Sequence, residues 1–307
     1  MMRTQMSRWW YTVAAAALAL LAPAAGRSQS LMTTALSVFS PQTVHVEYSN
    51  SSKLRGLSDY ATLRQHYLGP RLKQLEDSMG QLGIHEDDID EVVLGWRVAS
   101  TSADLYGVAS GRFDSEAMAT AAASKGLKPT LVDGTQIYCL EETCLALKDA
   151  SVGFFGPLST VRAMLKPGSH LDGDADFTRL VDGADQSTPI WGVAKGPAVV
   201  DWFKSTMPGQ DTAKLDWNTA FQGVSAVIYS VDTGDSVRLS MKLDCVSSEA
   251  AASLRQLFEG LRLLQRMAWQ SRNPTLPNPY ASLAVDAQQS EVSLKLETPH
   301  AALAGFQ

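Results

Sequence analysis

The chain has 307 residues, of which 45% are hydrophobic and 19% are charged, a balance that excludes collagen-like, low-complexity and wholly disordered polymers. A folded chain of this length buries about three quarters of its unfolded surface, so it needs no metal or disulfide to fold and is long enough for about two domains. Its formal net charge of −6 excludes the basic surface of a nucleic-acid-binding protein.

Residues 1–24 have the pattern of a secretory signal peptide. Arg3 and Arg8 supply the positive charge, residues 13–21 form an uninterrupted apolar run, and Ala22-Pro23-Ala24 provides the small residues that a signal peptidase requires. The apolar stretch is shorter than the roughly 20 residues of a membrane-spanning helix, and no later segment reaches that length. We therefore predict cleavage after Ala24 and a periplasmic or extracellular mature protein without a transmembrane span. The alternative is an uncleaved anchor.

The first half of the remaining chain alternates between strand and helix patterns. Apolar residues at every second position predict strands, and apolar residues three or four positions apart predict helices. In chain order we predict a strand at 42–48, a helix at 51–79 that is split at Gly69-Pro70, a hairpin of 91–99 and 103–111, a helix at 114–125, a hairpin at 135–148, a strand at 153–155 and a short helix at 159–165.

The second half repeats this order. We predict a strand at 189–194, a helix at 197–205, a hairpin of 224–231 and 235–243, a long helix at 249–270 and a hairpin of 281–287 and 291–297. The shared succession β-α-β-β-α-β is that of ferredoxin-like domains. The predicted fold is therefore α+β, with two tandem ferredoxin-like halves whose antiparallel sheets are backed by helices. The alternative is a single irregular α+β domain.

The boundary between the halves is placed in a Gly- and Asp-rich stretch at residues 166–186. We predict a first α+β domain at 33–170 and a second at 171–307.

A longer run of patterns carries a family resemblance. The run consists of a hairpin, a short helix, a helix that opens with aspartate and phenylalanine, and a strand; its segments are 134–147, 154–165, Ala175-Asp176-Phe177-Thr178-Arg179-Leu180 and Pro189-Ile190-Trp191-Gly192-Val193. This order resembles a family of bacterial exported proteins of unknown function built from two related α+β halves. The likeness covers most of residues 40–245. It implies the two-half architecture and no catalytic residues.

Two of the three cysteines flank a predicted hairpin turn. If Glu141 and Glu142 form a two-residue turn, Cys139 faces Cys144 in a pair whose Cα atoms are close enough for a disulfide. An oxidising compartment favours that bond, whereas two glutamates are poor residues for the positive φ angles of such a turn. The alternative is a pair of small buried thiols. We expect Cys245 to be a buried thiol at a strand end.

Motifs of common catalytic chemistry do not occur in the chain. It has no Gly-x-Ser-x-Gly elbow after a strand, no phosphate-binding glycine loop and no His-Glu-x-x-His pair, and its five histidines are scattered. His45 alternates with valines and is interpreted as a partly covered sheet residue. The acidic runs at 85–91 and 172–176 are interpreted as a solvated loop and a helix N-cap rather than metal loops. We therefore predict no metal and no cofactor.

Two groups of side chains are candidates for ligand binding. Trp96, Trp191 and Trp202 lie where two neighbouring sheets leave a cleft, although strand and helix aromatics are also typical of a core. A second group, Arg255, Arg262 and Arg266, gathers on one side of the long helix at 249–270. The apolar stripe on another side, which Leu263 and Met267 widen, is predicted to face the core: Ala250, Leu254, Leu257, Phe258, Leu261, Leu264 and Ala268. The basic side is either a solvated face or a surface that meets a partner or an anionic lipid headgroup.

These observations favour an exported, non-enzymatic binding or scaffolding protein of the bacterial cell envelope. The first alternative is a hydrolase of envelope polymers whose carboxylate site is assembled in space. The second is a carrier of lipid or another apolar ligand, and the third is a purely structural interaction module.

Overall fold

One antiparallel sheet of twelve strands organises the part of the chain that the structure describes. The computed structural model describes residues 25–57, 60, 61, 64, 70–98, 103–196, 198–200, 203 and 216–306. The predicted signal peptide, residues 1–24, lies outside these ranges and stays a prediction.

The strands follow the alternating segments of the sequence. In chain order they are β1 (Thr43–Ser49), β2 (Ile89–Val98), β3 (Ala103–Gly111), β4 (Thr130–Val132), β5 (Thr135–Leu140), β6 (Thr143–Leu147), β7 (Val152–Gly156), β8 (Ile190–Lys195), β9 (Val224–Asp232), β10 (Val237–Cys245), β11 (Ala284–Gln288) and β12 (Glu291–Thr298). Across the sheet their order is β11-β12-β10-β9-β8-β1-β2-β3-β7-β6-β5-β4, and every described pairing is antiparallel.

The helices lie between the strands in sequence. They are α1 (Ala25–Leu36), α2 (Ser51–Arg55), α3 (Pro70–Gln81), α4 (Ser115–Ser124), α5 (Leu158–Met164), α6 (Ala175–Asp182), α7 (Trp217–Ala220) and α8 (Ser248–Arg272), with short 3-10 turns at Glu86–Asp88, Leu171–Gly173, Pro279–Ala281 and His300–Phe306. Most begin at a side chain that accepts a hydrogen bond from the first turn, as Asp114 does for α4 and Ser247 for α8.

The first four strands on either side of the central pair, β1 and β8, follow a matching order. Outward from β1 the strands are β2, β3, β7 and β6, and outward from β8 they are β9, β10, β12 and β11. The first half carries two further strands, β5 and β4, beyond that order. An α+β fold with a large antiparallel sheet and helices is thus confirmed.

The ferredoxin-like form of the halves is not confirmed. In a split β-α-β unit the helix crosses the sheet once, so the strands before and after it run parallel. Here β1 pairs antiparallel with β2, and Ser49 at the end of β1 faces Val92 near the start of β2. The connection that contains α2 and α3 therefore returns to the end of the sheet from which it left.

The predicted division into domains at 33–170 and 171–307 stays a prediction. The sheet runs from one half into the other without a break, because β1 and β8 form a continuous ladder from His45 opposite Ala194 to Ser49 opposite Ile190.

The two faces of the sheet are covered differently. One face carries a single core that includes residues of α1, α5 and α6 and spans both halves, with Tyr48 and Trp191 fully buried in it. The other face carries two separate cores. One lies under α8 in the second half, around Leu243 and Phe258, and the other lies under α3 and α4 in the first half, around Leu94 and Met118.

Two helical segments differ from the prediction. Within the helix expected at 51–79, α2 ends at Arg55 with Gly56 as its C-cap, residues 60, 61 and 64 are helical, and α3 covers Pro70–Gln81; the other residues between α2 and α3, apart from 56 and 57, lie outside the described ranges. Helix α1 has no counterpart among the predicted elements, of which the first after the signal peptide is the strand at 42–48. This helix contributes Leu31 and Ala35 to the shared core.

No helix among the described residues combines the length and apolarity that crossing a bilayer requires.

Candidate functional site

The structure does not bring the candidate tryptophans together. Trp96 on β2 stacks on His45, with ring centroids 4.1 Å apart, and Trp191 on β8 packs at 5.5 Å from Tyr48. His45 and Tyr48 are an odd number of positions apart on β1, so the two tryptophans lie on opposite faces of the sheet. Trp202 is outside the described residues. Trp96 and Trp191 therefore do not line one cleft together.

His45, on which Trp96 stacks, belongs to a largely buried polar cluster at the middle of the sheet. We call His45, Glu47 and Tyr229 the central polar strip. The His45 Nε2 atom lies 2.9 Å from the Tyr229 hydroxyl oxygen, and that hydroxyl donates to Glu47 Oε2. When Glu47 is ionised, the tyrosine gives its one proton to the carboxylate, and His45 donates through Nε2–H. In that state the strip fixes the histidine in one tautomer.

A glycine makes the reach of Tyr229 possible. Tyr229 on β9 faces Gly192 on β8, and Gly192 faces Glu47 on β1. A Cβ atom placed on Gly192 would lie 2.5 Å from the tyrosine hydroxyl oxygen. The side chain of Tyr229 thus crosses β8 over a residue that has no side chain, and the strip links three strands across the central pair.

Burial sets the charge of the strip. It lowers the pKa of His45 to about 3, so the imidazole is neutral at neutral pH. Burial also raises the pKa of Glu47, while the hydrogen bond from Tyr229 acts in the opposite direction. Among the described residues, no three His, Cys, Asp or Glu side chains are grouped as metal ligands.

The acidic runs occupy local structural positions. Asp88 accepts a hydrogen bond from the backbone N–H of His85 at 2.9 Å across the turn Glu86–Asp88. Asp174 caps α6 through the N–H of Phe177 at 3.0 Å and pairs with Lys195. Both contacts organise the starts of helical turns.

The hairpin that contains Cys139 and Cys144 has the register predicted from a two-residue turn at Glu141 and Glu142. Cys139 faces Cys144, Leu140 faces Thr143, and a disulfide joins the two cysteines. Glu141 adopts a φ of 53°, in the left-handed region. Cys245 is a buried free thiol at the end of β10.

The three arginines of α8 fall into two environments. Arg255 pairs with Glu259 one turn along, at 3.8 Å. Arg262 donates from Nη1 to the carbonyl oxygen of Leu283 at 3.1 Å, and Arg266 is exposed one turn later. The structure therefore brings Arg262 and Arg266 to the same side of the helix, and the charge of Arg255 is matched locally.

Beside these two arginines, three large apolar side chains point away from the sheet. Leu263, Leu264 and Met267 are 55%, 64% and 69% exposed, and together they form what we call the α8 outer face. The prediction that Leu264, together with the widening residues Leu263 and Met267, faces the core is wrong. The buried residues of α8 are Ala251, Leu254, Phe258 and Trp269.

The position of these residues around α8 explains their exposure. At about 100° per residue, Leu263, Leu264 and Met267 lie roughly 140°, 240° and 180° round the helix from the buried Phe258. They therefore stand on the side of α8 that faces away from the sheet.

The chain after α8 holds its C-terminal end in place. The Asn278 side-chain amide donates to the carbonyl oxygen of Arg266 at 2.9 Å, and Tyr280 packs edge-on against Trp269 with centroids 6.2 Å apart. The α8 outer face thus sits on a helix that is anchored from its inner side.

The charge around this face differs from that of the whole chain. Residues 260–285 contain Arg262, Arg266 and Arg272 and no Asp, Glu or Lys, in a protein whose net charge is −6. Glu259, one turn before Leu263, is paired with Arg255. The α8 outer face is therefore flanked by the basic residues Arg262 and Arg266.

Comparisons with known proteins identify no family. No protein-family model matches the chain, and no curated protein matches it in sequence. Among solved structures, it is similar to crystal forms III, I and IV of TP0453, with TM-scores of 0.48, 0.49 and 0.45 and identities of 10%, 10% and 12%. Each match covers 88% of this chain and 96%, 94% and 94% of the respective TP0453 chain. These values carry no argument about function.

Sequence reasoning missed the central polar strip. His45 and Tyr229 are 184 positions apart, and nothing in their spacing indicates contact. One signal was present: Gly192 interrupts an otherwise apolar strand, and such a glycine often marks the close approach of another group.

Proposed function

We propose that the protein is an exported, non-enzymatic binding protein of the bacterial cell envelope that docks on its partner through the α8 outer face. The observation that carries the proposal is the exposure of Leu263, Leu264 and Met267 side by side. Scattered apolar residues are normal on a surface, whereas a contiguous apolar group rimmed by charge is typical of an interaction site.

The energetics fit reversible docking. Covering the exposed part of each of the three side chains contributes about 1–2 kcal/mol, before the cost of association is subtracted. Arg262 and Arg266 add attraction to an anionic partner, and this attraction weakens as salt rises. The sum supports a contact that forms and releases rather than a permanent complex.

The compartment is part of the proposal. Residues 1–24 have a signal-peptide pattern, and a disulfide between Cys139 and Cys144 suits an oxidising compartment. The tandem interpretation of the halves is supported by the matching strand order outward from β1 and β8.

Binding to an envelope fraction tests the proposal. Purified mature protein, residues 25–307, is mixed with washed envelopes and the bound fraction is measured by sedimentation. We expect the double variant Leu263→Ser, Met267→Ser to bind at least tenfold more weakly than the wild type.

The matched control is Leu131→Ser, since Leu131 is a 67% exposed leucine on β4, at the far end of the sheet. This variant should bind like the wild type. Equal binding by the double variant and the control would overturn the proposal.

A further inference from the structure

We propose that the partner of the α8 outer face is the surface of an anionic phospholipid bilayer. This inference rests on the proposed function, because it names the partner of that same docking surface. The helix would lie flat on the membrane with Leu263, Leu264 and Met267 at the level of the upper acyl chains and the arginines at the headgroup phosphates.

The chemistry of the face fits a lipid surface. Its three apolar side chains are aliphatic or thioether groups that stand on a convex helix within two turns, and they require no directional partner. Guanidinium groups bind phosphate oxygens, and Arg262 and Arg266 flank the apolar residues on one side. Apolar residues beside a row of basic residues are the pattern of helices that lie in the membrane interface.

The charge distribution selects an anionic bilayer. The segment 260–285 carries three arginines and no carboxylate, while the chain as a whole is acidic. Repulsion between the acidic body and an anionic membrane therefore orients the molecule so that this segment faces the lipid.

A second copy of the chain fits this surface poorly. In a two-fold symmetric contact the same patch faces itself, which places Arg262 and Arg266 near their own counterparts. The nearest carboxylate along α8, Glu259, is already paired with Arg255, so these charges would meet with little compensation.

A protein partner is also less well matched. Protein interfaces are enriched in Met and Arg, which this face has, and also in aromatic anchors, which it lacks. The nearby aromatic residue Trp269 is turned inward, 3% exposed, and packs against Tyr280 instead of standing on the outer face.

The anchoring of α8 defines the mode of binding. Arg262 is tied to Leu283, and the backbone of Arg266 is tied to Asn278. The helix is thus held on the sheet while its outer face contacts the membrane, which gives peripheral docking without a spanning segment.

Vesicle flotation tests the inference. Mature protein is mixed with vesicles of phosphatidylglycerol and phosphatidylethanolamine, or with vesicles of phosphatidylcholine alone. We expect at least tenfold stronger binding to the phosphatidylglycerol vesicles and a loss of most binding when NaCl is raised from about 0.1 M to about 0.5 M, because screening shortens the reach of the arginine charges.

Two variants separate the contributions. Leu263→Ser with Met267→Ser should lower binding to phosphatidylglycerol vesicles at least tenfold, and Arg262→Glu with Arg266→Glu should do the same. The controls are Leu131→Ser and Arg179→Glu; Arg179 is a 68% exposed arginine on α6. Circular dichroism melting of each variant shows that it remains folded.

The outcomes distinguish this inference from the proposed function. If the protein binds envelopes but neither kind of vesicle, the partner is not lipid and the inference is overturned while the docking surface stands. Equal binding to both kinds of vesicle also overturns it, because charge then plays no part. If neither envelopes nor vesicles are bound, the proposed function fails.

Discussion

The central polar strip and the α8 outer face depart from the usual distribution of residues in opposite directions. At the middle of the sheet, His45, Glu47 and Tyr229 place polar groups between two apolar cores. At the end of α8, Leu263, Leu264 and Met267 place apolar groups in water.

The two regions differ in what offsets the unfavourable placement of their side chains. The strip satisfies its own polar atoms through two hydrogen bonds over Gly192, so it belongs to the folded molecule. The α8 outer face gains from burial only when something else covers it. Stability measurements should therefore respond to changes in the strip, and binding measurements to changes in the face.

The largest effect on stability is expected from Gly192→Ala. The new Cβ atom would lie 2.5 Å from the tyrosine hydroxyl oxygen and would displace the Tyr229 ring from both of its partners. We expect the free energy of unfolding in urea to fall by about 3 kcal/mol.

The control for this prediction is Gly260→Ala on α8, where a Cβ meets nothing within 4 Å. That variant should gain about 0.5–1 kcal/mol, since alanine favours helix. A Gly192→Ala variant as stable as the wild type would show that the strip is not tightly held.

Tyr229→Phe should cost less, about 2 kcal/mol in the same urea experiment. It leaves the ring in place but removes the hydroxyl that bonds His45, which is buried, and Glu47, which is partly buried, so both lose that partner. Tyr138→Phe is the comparison, because its hydroxyl bonds the neighbouring Gln136 rather than the strip. Equal losses in the two variants would contradict the special role of Tyr229.

The pH dependence of stability sharpens the account of the strip. The folded pKa of His45 is about 3, below its ordinary value of 6.5, so the unfolded chain binds the proton more readily and stability falls as pH drops below 6.5. Glu47 has a raised folded pKa and gives the opposite slope as pH falls toward its ordinary value.

The variant Glu47→Gln removes the opposing slope. In it, the free energy of unfolding should fall by about 1.4 kcal/mol per pH unit between pH 6 and pH 4, the value for one proton. Urea titrations at several pH values measure the slope. Adding His45→Gln should flatten it, and a slope that persists in the double variant would place the titration elsewhere.

The smallest effect on stability is expected from Leu263→Ser with Met267→Ser. Both side chains are more than half exposed, so we expect a change within about 0.5 kcal/mol in urea. A loss of several kcal/mol would mean that the α8 outer face is part of the core, and it would remove the basis of the docking proposal.

Local patterns were enough to predict most elements and the α+β class. The hairpins at β2–β3 and β9–β10 follow from alternation over neighbouring residues, and the start of α8 follows from the cap at Ser247. These features depend on residues that are close in sequence.

Long-range features could not be predicted in the same way. The pairing of β1 with β8 joins segments about 150 residues apart, and both strands are apolar enough to pair with many others. The ferredoxin-like interpretation was not confirmed, because the order of elements along the chain does not determine the order of strands across the sheet. Leu264 was misplaced because the apolar periodicity of α8 predicts a broad stripe, whereas the buried side of the helix is centred on Leu254, Phe258 and Trp269.

The ladder between β1 and β8 has a consequence for how the chain matures. Severing the polypeptide near residue 170 would bare a hydrogen-bonding edge on each fragment, at β1 on one and β8 on the other. Each fragment alone would tend to aggregate through its exposed strand edge. When mixed, the two fragments would reassociate or pair with fragments of other molecules. In a newly synthesised N-terminal half, the edge of β1 therefore stays unpaired until β8 has been made.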